Sequence, residues 1–66
     1  MEVIVNGKPV SCEPGTSVYG LILQLDLKPE SVVVERNREL VGGGDFAATA
    51  LEEGDTLEIL HFVGGG

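Results

Sequence analysis

The sequence predicts an α+β fold: a small mixed β-sheet with one main helix packed on one face. Three observations carry this. The chain opens on two short β-prone runs joined by Asn6-Gly7, continues into a single amphipathic stretch, and closes on alternating runs separated by turn residues. Only one segment has helical periodicity, so the other elements must share a sheet that this helix covers.

Taking the elements in order, Met1–Val5 reads as a strand with Val3 and Val5 on one side by period-two alternation. Asn6-Gly7 is a two-residue hairpin signal, because a type I′ turn requires positive φ at both central positions. Lys8–Glu13 is the return strand, with Val10 and Cys12 sharing a face, and Pro9 places it at a sheet edge. Pro14-Gly15 ends it. Thr16 or Ser17 then N-caps a helix whose Val18, Leu21, Ile22 and Leu25 fall at i, i+3, i+4 and i+7. Gly20 weakens that helix by up to about 1 kcal/mol relative to alanine, consistent with a need for close packing. Lys28-Pro29 marks its stop. Val32–Arg36 is a strand, Asn37-Arg38 a turn and Glu39–Val41 a short return. Gly42-Gly43-Gly44 is an internal glycine run, after which Asp45 caps a short helical turn through Phe46 to Thr49. Glu53-Gly54-Asp55 is a turn and Thr56–Val63 the last strand. The first and last strands are expected to be central neighbours, since a parallel pair needs a long crossover and the helix supplies one. Residues 1–63 thus form one domain, and 64–66 a flexible glycine tail.

Composition narrows the function. With 66 residues the chain buries only about 60% of its unfolded surface, which leaves little room for a core and a deep pocket together. A chain that acts by being recognised fits better than a self-contained enzyme. Eleven acids against four bases give a formal charge of −7, with no basic cluster, which argues against nucleic acid; a protein partner would meet this surface best with a basic face, but charge alone reads as solubility. No apolar run is long enough for a bilayer and no signal-peptide pattern opens the chain, so it reads as soluble and cytoplasmic. One cysteine can form neither an internal disulfide nor a multi-cysteine zinc or iron–sulfur site.

The candidate functional feature is the end of the chain, Val63-Gly64-Gly65-Gly66. Glycine lacks a Cβ, so this tail is thin and conformationally free, and three extended residues reach roughly 10 Å. It can thread a narrow channel and present the Gly66 carboxylate to another protein. Beside it, Leu57 and Ile59 are expected to face the helix, while Leu60 and Phe62 point outward with Glu58 as a partner patch. Cys12 is expected in the core and inert. His61 reads as an ordinary strand residue, and Glu52-Glu53…Asp55 as a solvated turn with no ligand to complete a metal site. Gly42–Gly44 lacks the Lys-Ser/Thr ending of a phosphate cradle.

Several of these segments together resemble a known family. They are Val3-Ile4-Val5-Asn6-Gly7, Pro14-Gly15-Thr16-Ser17-Val18, Leu25, and Val34-Glu35-Arg36-Asn37-Arg38-Glu39. Leu51 through Ile59 and the closing Phe62-Val63-Gly64-Gly65-Gly66 complete the set. Across essentially its whole length the chain is similar to the ThiS sulfur carriers of thiamine biosynthesis, within the ubiquitin-like β-grasp superfamily. It departs from relatives at Gly42-Gly43-Gly44. The resemblance implies that the protein is a carrier and co-substrate, not an enzyme, and binds no cofactor itself. It implies that a ThiF-like, E1-type enzyme uses ATP and Mg²⁺ to adenylate Gly66. A sulfur-donating enzyme then supplies the sulfur of a thiocarboxylate, which passes to a ThiG-like thiazole synthase. Gly64 and Gly65 map onto the slender neck, with Val63, Phe62 and Leu60 on the partner-binding side. Two alternatives share the tail: a carrier resembling the small subunit of molybdopterin synthase, usually longer than this chain, and a ubiquitin-like modifier conjugated to lysines.

Overall fold

The computed structural model describes residues 1–62. Strands β1 (Glu2–Val5) and β2 (Lys8–Ser11) precede helix α1 (Val18–Gln24). A 3₁₀ turn at Pro29–Ser31 leads to β3 (Val32–Arg36) and β4 (Glu39–Val41). A second 3₁₀ turn at Gly43–Asp45 precedes β5 (Thr56–His61). The five strands make one mixed sheet in the order β2-β1-β5-β3-β4, with α1 on one face: the expected β-grasp arrangement. Central β5 runs parallel to β1 and antiparallel to β3.

Both hairpins turn on an asparagine in the left-handed region. Asn6 and Gly7 have φ of 50° and 83°, and Asn37 and Arg38 have 51° and 73°. Each asparagine also grips β5. The Asn6 amide accepts from Ile59 N–H at 2.8 Å and donates to Ile59 C=O at 3.1 Å. β1 has already turned away at that point, so the side chain replaces the missing ladder bonds. Asn37 grips the other end of β5, its side-chain Oδ1 accepting from Thr56 N–H at 3.0 Å and its backbone N–H donating to Thr56 C=O at 2.7 Å. Pro9 lies on β2, an edge strand as expected. Val3–Val10 and Met1–Cys12 are the hydrogen-bonded pairs, so the proline nitrogen faces outward, where no donor is needed.

One core holds the layers together. Val3, Val5, Cys12, Val18, Leu21, Ile22, Val32, Val34, Phe46, Leu51, Leu57 and Ile59 are buried, and Leu25 packs against them from the side. The helical stripe and the strand alternations thus meet as expected, and Cys12 is in the core. Among the described residues every buried side-chain polar atom has a hydrogen-bond partner, and no helix is long and apolar enough to cross a membrane.

Several details differ from the sequence expectation or sharpen it. The helix ends at Gln24, ahead of Lys28-Pro29. Asp26 turns left-handed at φ 61°, while its N–H donates to Leu23 C=O and that of Leu27 to Ile22 C=O, both at 3.0 Å. This Schellman closure satisfies the last carbonyls with aspartate in the place glycine usually takes; Pro29 instead opens the following 3₁₀ turn, where its missing donor costs nothing. Of the two proposed N-caps, Ser17 is the one used, accepting from Gly20 N–H at 3.1 Å. A Cβ at Gly20 would stand 3.3 Å from the Thr16 methyl, a tight contact, and 3.6 Å from the capping Ser17 Oγ, an ordinary one. A turn does follow Asp45 through Phe46–Ala48, but it is closed by the Asp45 backbone carbonyl and not by a side-chain cap. The 3₁₀ turn before it starts inside the glycine run at Gly43, Asp45 is its last residue, and the Asp45 carbonyl accepts from Ala48 N–H and Thr49 Oγ1. Finally, β5 stops at His61, earlier than Val63. Phe62 N–H still donates to Ser31 C=O at 2.7 Å, and Val63 with the glycine tail lies outside the described residues.

Candidate functional site

β5 is the element that positions the end of the chain. It lies at the middle of the sheet, clamped by β1 and Asn6 on one side and by β3 on the other, so Phe62 leaves from a fixed base. Leu57 and Ile59 point into the core, and Glu58, Leu60 and Phe62 point outward, as the alternation predicts. Leu60 is 65% and Phe62 56% exposed. The structure therefore brings Leu60 and Phe62 onto one outer face. Val63, Gly64, Gly65 and Gly66 fall outside the described residues.

The sheet extends this apolar face beyond the two residues singled out in the sequence. Val33 sits across from Leu60, and Leu40, 70% exposed, sits across from Glu35. Ile4, between buried Val3 and Val5, faces the same way from β1. The Asn37-Arg38 turn held the signal for Leu40, because a two-residue hairpin pairs Arg36 with Glu39 and therefore Glu35 with Leu40.

Asp55 corrects the reading of Glu52-Glu53…Asp55 as a solvated turn. It is buried. Its Oδ2 accepts from Arg36 Nε at 2.9 Å and Glu52 N–H at 2.8 Å, and its Oδ1 from Asn37 Nδ2 at 3.0 Å. Burial is the largest single influence on its pKa and raises it. The Glu52 N–H, the Asn37 amide and the Arg36 guanidinium together outweigh that and hold the carboxyl below its ordinary range. The group is structural: it ties the turn before β5 to the β3–β4 hairpin. Sequence reasoning missed it because nothing local distinguishes a turn aspartate facing water from one facing an arginine nineteen positions away. Glu53 Oε1 accepts from Glu2 N–H and Glu52 pairs with Arg36 at 3.6 Å. Neither is placed for metal, and among the described residues no group of three or more His, Cys, Asp and Glu is. His61 is exposed.

An outer face with exposed Leu60 and Phe62 at the base of a glycine tail suits capture by another protein better than chemistry of its own. The ThiS family model matches residues 3–66 of the chain, tail included. A sulfur carrier protein ThiS of Bacillus subtilis is 38% identical over 63 residues, covering 94% of this chain and 96% of that protein. A thiazole synthase of Magnetococcus marinus is 44% identical over all 66 residues. The chain spans about a fifth of the length of that relative and of a second thiazole synthase, from Paramagnetospirillum magneticum. Among solved structures, a thiamine biosynthesis protein (ThiS) from Geobacter metallireducens superposes with a TM-score of 0.83 at 38% identity, with both chains fully covered.

Proposed function

The chain belongs to the ThiS family, and from that premise we propose that it is a sulfur carrier for thiazole formation in thiamine biosynthesis. The observation that carries the reading is the base from which the tail follows in sequence: β5 is the central strand, and Leu60 and Phe62 at its end are exposed on one outer face, directly ahead of Val63-Gly64-Gly65-Gly66 in the chain. The names of the relatives favour the thiazole pathway over molybdopterin synthesis or lysine conjugation.

The chemistry follows from the carboxylate. With a pKa near 3.3–3.7 a terminal carboxyl is an anion at neutral pH and a poor electrophile. An E1-like, ThiF-like enzyme using ATP and Mg²⁺ joins the Gly66 carboxylate to AMP with loss of pyrophosphate. The outer sulfur of a donating enzyme's persulfide then attacks the acyl carbon, AMP leaves, and a thiol cleaves the S–S bond of the acyl disulfide so formed, releasing the thiocarboxylate and leaving a disulfide on the thiol side. The resulting thiocarboxylate is the species handed to a ThiG-like thiazole synthase. The Gly66 acyl carbon carries no side chain to hinder attack, and Gly64 and Gly65 let channel walls close on bare backbone. Phe62 and Leu60 lie on the proposed docking face, Val63 is assigned to the same partner contact by its place in the sequence, and the folded body is the handle that offsets roughly 1–2 kcal/mol of ordering entropy per tail residue. The protein is a co-substrate in this scheme; catalysis belongs to its partners.

Intact mass spectrometry tests it. Incubated with the activating enzyme, ATP, Mg²⁺ and a sulfur source, the chain should gain the mass change of one oxygen replaced by sulfur, and fragmentation should place it on Gly66. An unchanged mass while the enzyme turns over ATP would sink the carrier reading, and an isopeptide adduct to lysine would replace it with the modifier reading.

A further inference from the structure

The outer sheet face carries a charge arrangement that the fold does not explain. Glu35 on β3 and Glu58 on β5 are directly opposite each other in the antiparallel register, and both are exposed. Such a position puts Cβ atoms about 4.5–5.5 Å apart, and like charges there destabilise the sheet. No salt bridge among the described residues relieves them. Among the described residues the ion pairs are those of Arg36 with Glu52 and Asp55, on another part of the surface. The surroundings are apolar. Leu40 follows Glu35 across the sheet, Val33 and Leu60 form the next row, and Phe62 lies beyond them. Two facing carboxylates thus interrupt the apolar stretch formed by Leu40, Val33, Leu60 and Phe62.

We propose that Glu35 and Glu58 form a socket for one cationic side chain, an arginine, projecting from an apolar face of the protein partner that docks on this sheet. A guanidinium fits because its planar fork of five donors can bridge two carboxylates at once. The Leu40, Leu60 and Phe62 surround excludes water from that contact once docked, which strengthens it. Charge complementarity selects this occupant. A second copy of the chain would bring four carboxylates together between bodies of net charge −7, and a nucleic acid would add further anions. The inference rests on the docking proposed above and deepens it: Leu60 and Phe62 supply area, and the carboxylate pair supplies register and discrimination.

The test is calorimetric titration of the full chain into the activating enzyme without ATP, at low and at physiological salt. Glu35→Gln and Glu58→Gln should each weaken binding several-fold. The double variant should weaken it roughly tenfold or more and flatten the salt dependence. Glu13→Gln, which removes an exposed charge elsewhere, should change affinity less than either single variant. The double variant should also melt no lower than the parent chain, since repulsion is relieved, so weaker binding cannot be loss of fold. A double variant that binds as the Glu13→Gln chain does overturns the socket while leaving the carrier reading intact. Pair-dependent binding of a chain that is never adenylated does the reverse.

Discussion

Asp55 shows how much of this small fold can depend on one side chain. Its two oxygens collect three donors, and Asn37, one of those donors, also accepts from Thr56 N–H. Substitution by asparagine keeps the shape but removes the charge and one acceptor. If the new NH₂ replaces Oδ2, two donors lose their acceptor. If it replaces Oδ1, it faces the Asn37 NH₂, and Asn37 cannot flip without losing Thr56. Asp55→Asn should therefore cost about 2–3 kcal/mol, a charge-assisted bond with its unsatisfied remainder, and lower the melting temperature by roughly 10 °C or more. The pH dependence has a definite sign. The folded pKa lies below the ordinary 3.8, so the stabilisation is fully present above that value. It is lost as the pH falls through the folded pKa. Denaturant melts should accordingly show the gap between parent and variant constant near neutrality and closing only in acid below 3.8; a gap that closes near pH 6 would place the stabilisation in another group.

At the scale of elements, the two hairpins are built alike but use different residues. Gly7 takes the second left-handed position of the first turn at no steric cost, whereas Arg38 takes it in the second turn at φ 73°. An L-residue there is strained by roughly 1–2 kcal/mol, against the 0.5–1 kcal/mol that glycine loses in unfolded-state entropy. Arg38→Gly should therefore stabilise the protein by up to about 1 kcal/mol, measured by denaturant titration, and a destabilised variant would show that the arginine side chain has a contact of its own. These elements were legible in the sequence wherever local chemistry decides. Asn6-Gly7 and Asn37-Arg38 marked the turns, the i, i+3, i+4, i+7 stripe marked α1, and Pro9 marked the edge. The strand β3 was bounded correctly by its valines. What was not legible depended on partners distant in the chain or on unusual residues in familiar roles. Asp26 closes the helix where glycine is the usual signal, Asp55 finds Arg36 and Asn37 only after β3 and β5 pair, and the Glu35–Glu58 opposition exists only in the folded register.

For the whole molecule, the proposed function assigns the folded body and the C-terminal glycines different tasks, and it predicts that the two can be perturbed independently. Gly65 lies in sequence beyond His61, where β5 ends, and beyond Phe62, whose N–H makes the last bond to Ser31. Among the described residues the buried core ends in sequence at Ile59, so the expectation is that a side chain at position 65 leaves the core as it is. In the proposed channel the same side chain meets walls closed on bare glycine backbone. A valine adds three carbon atoms and restricts the backbone toward β conformations, whereas alanine adds one. Gly65→Val should melt with the parent chain, within about 0.5 kcal/mol as expected of a substitution away from packed features. It should be adenylated at least tenfold more slowly, a transition-state loss of about 1.4 kcal/mol or more, with Gly65→Ala between the two. Pyrophosphate release measured at saturating ATP, alongside thermal melts of the same preparations, decides the matter. Parent-like adenylation of Gly65→Val would mean that the neck is not confined and that the folded face alone recruits the enzyme. A lowered melting point would mean that the tail belongs to the fold.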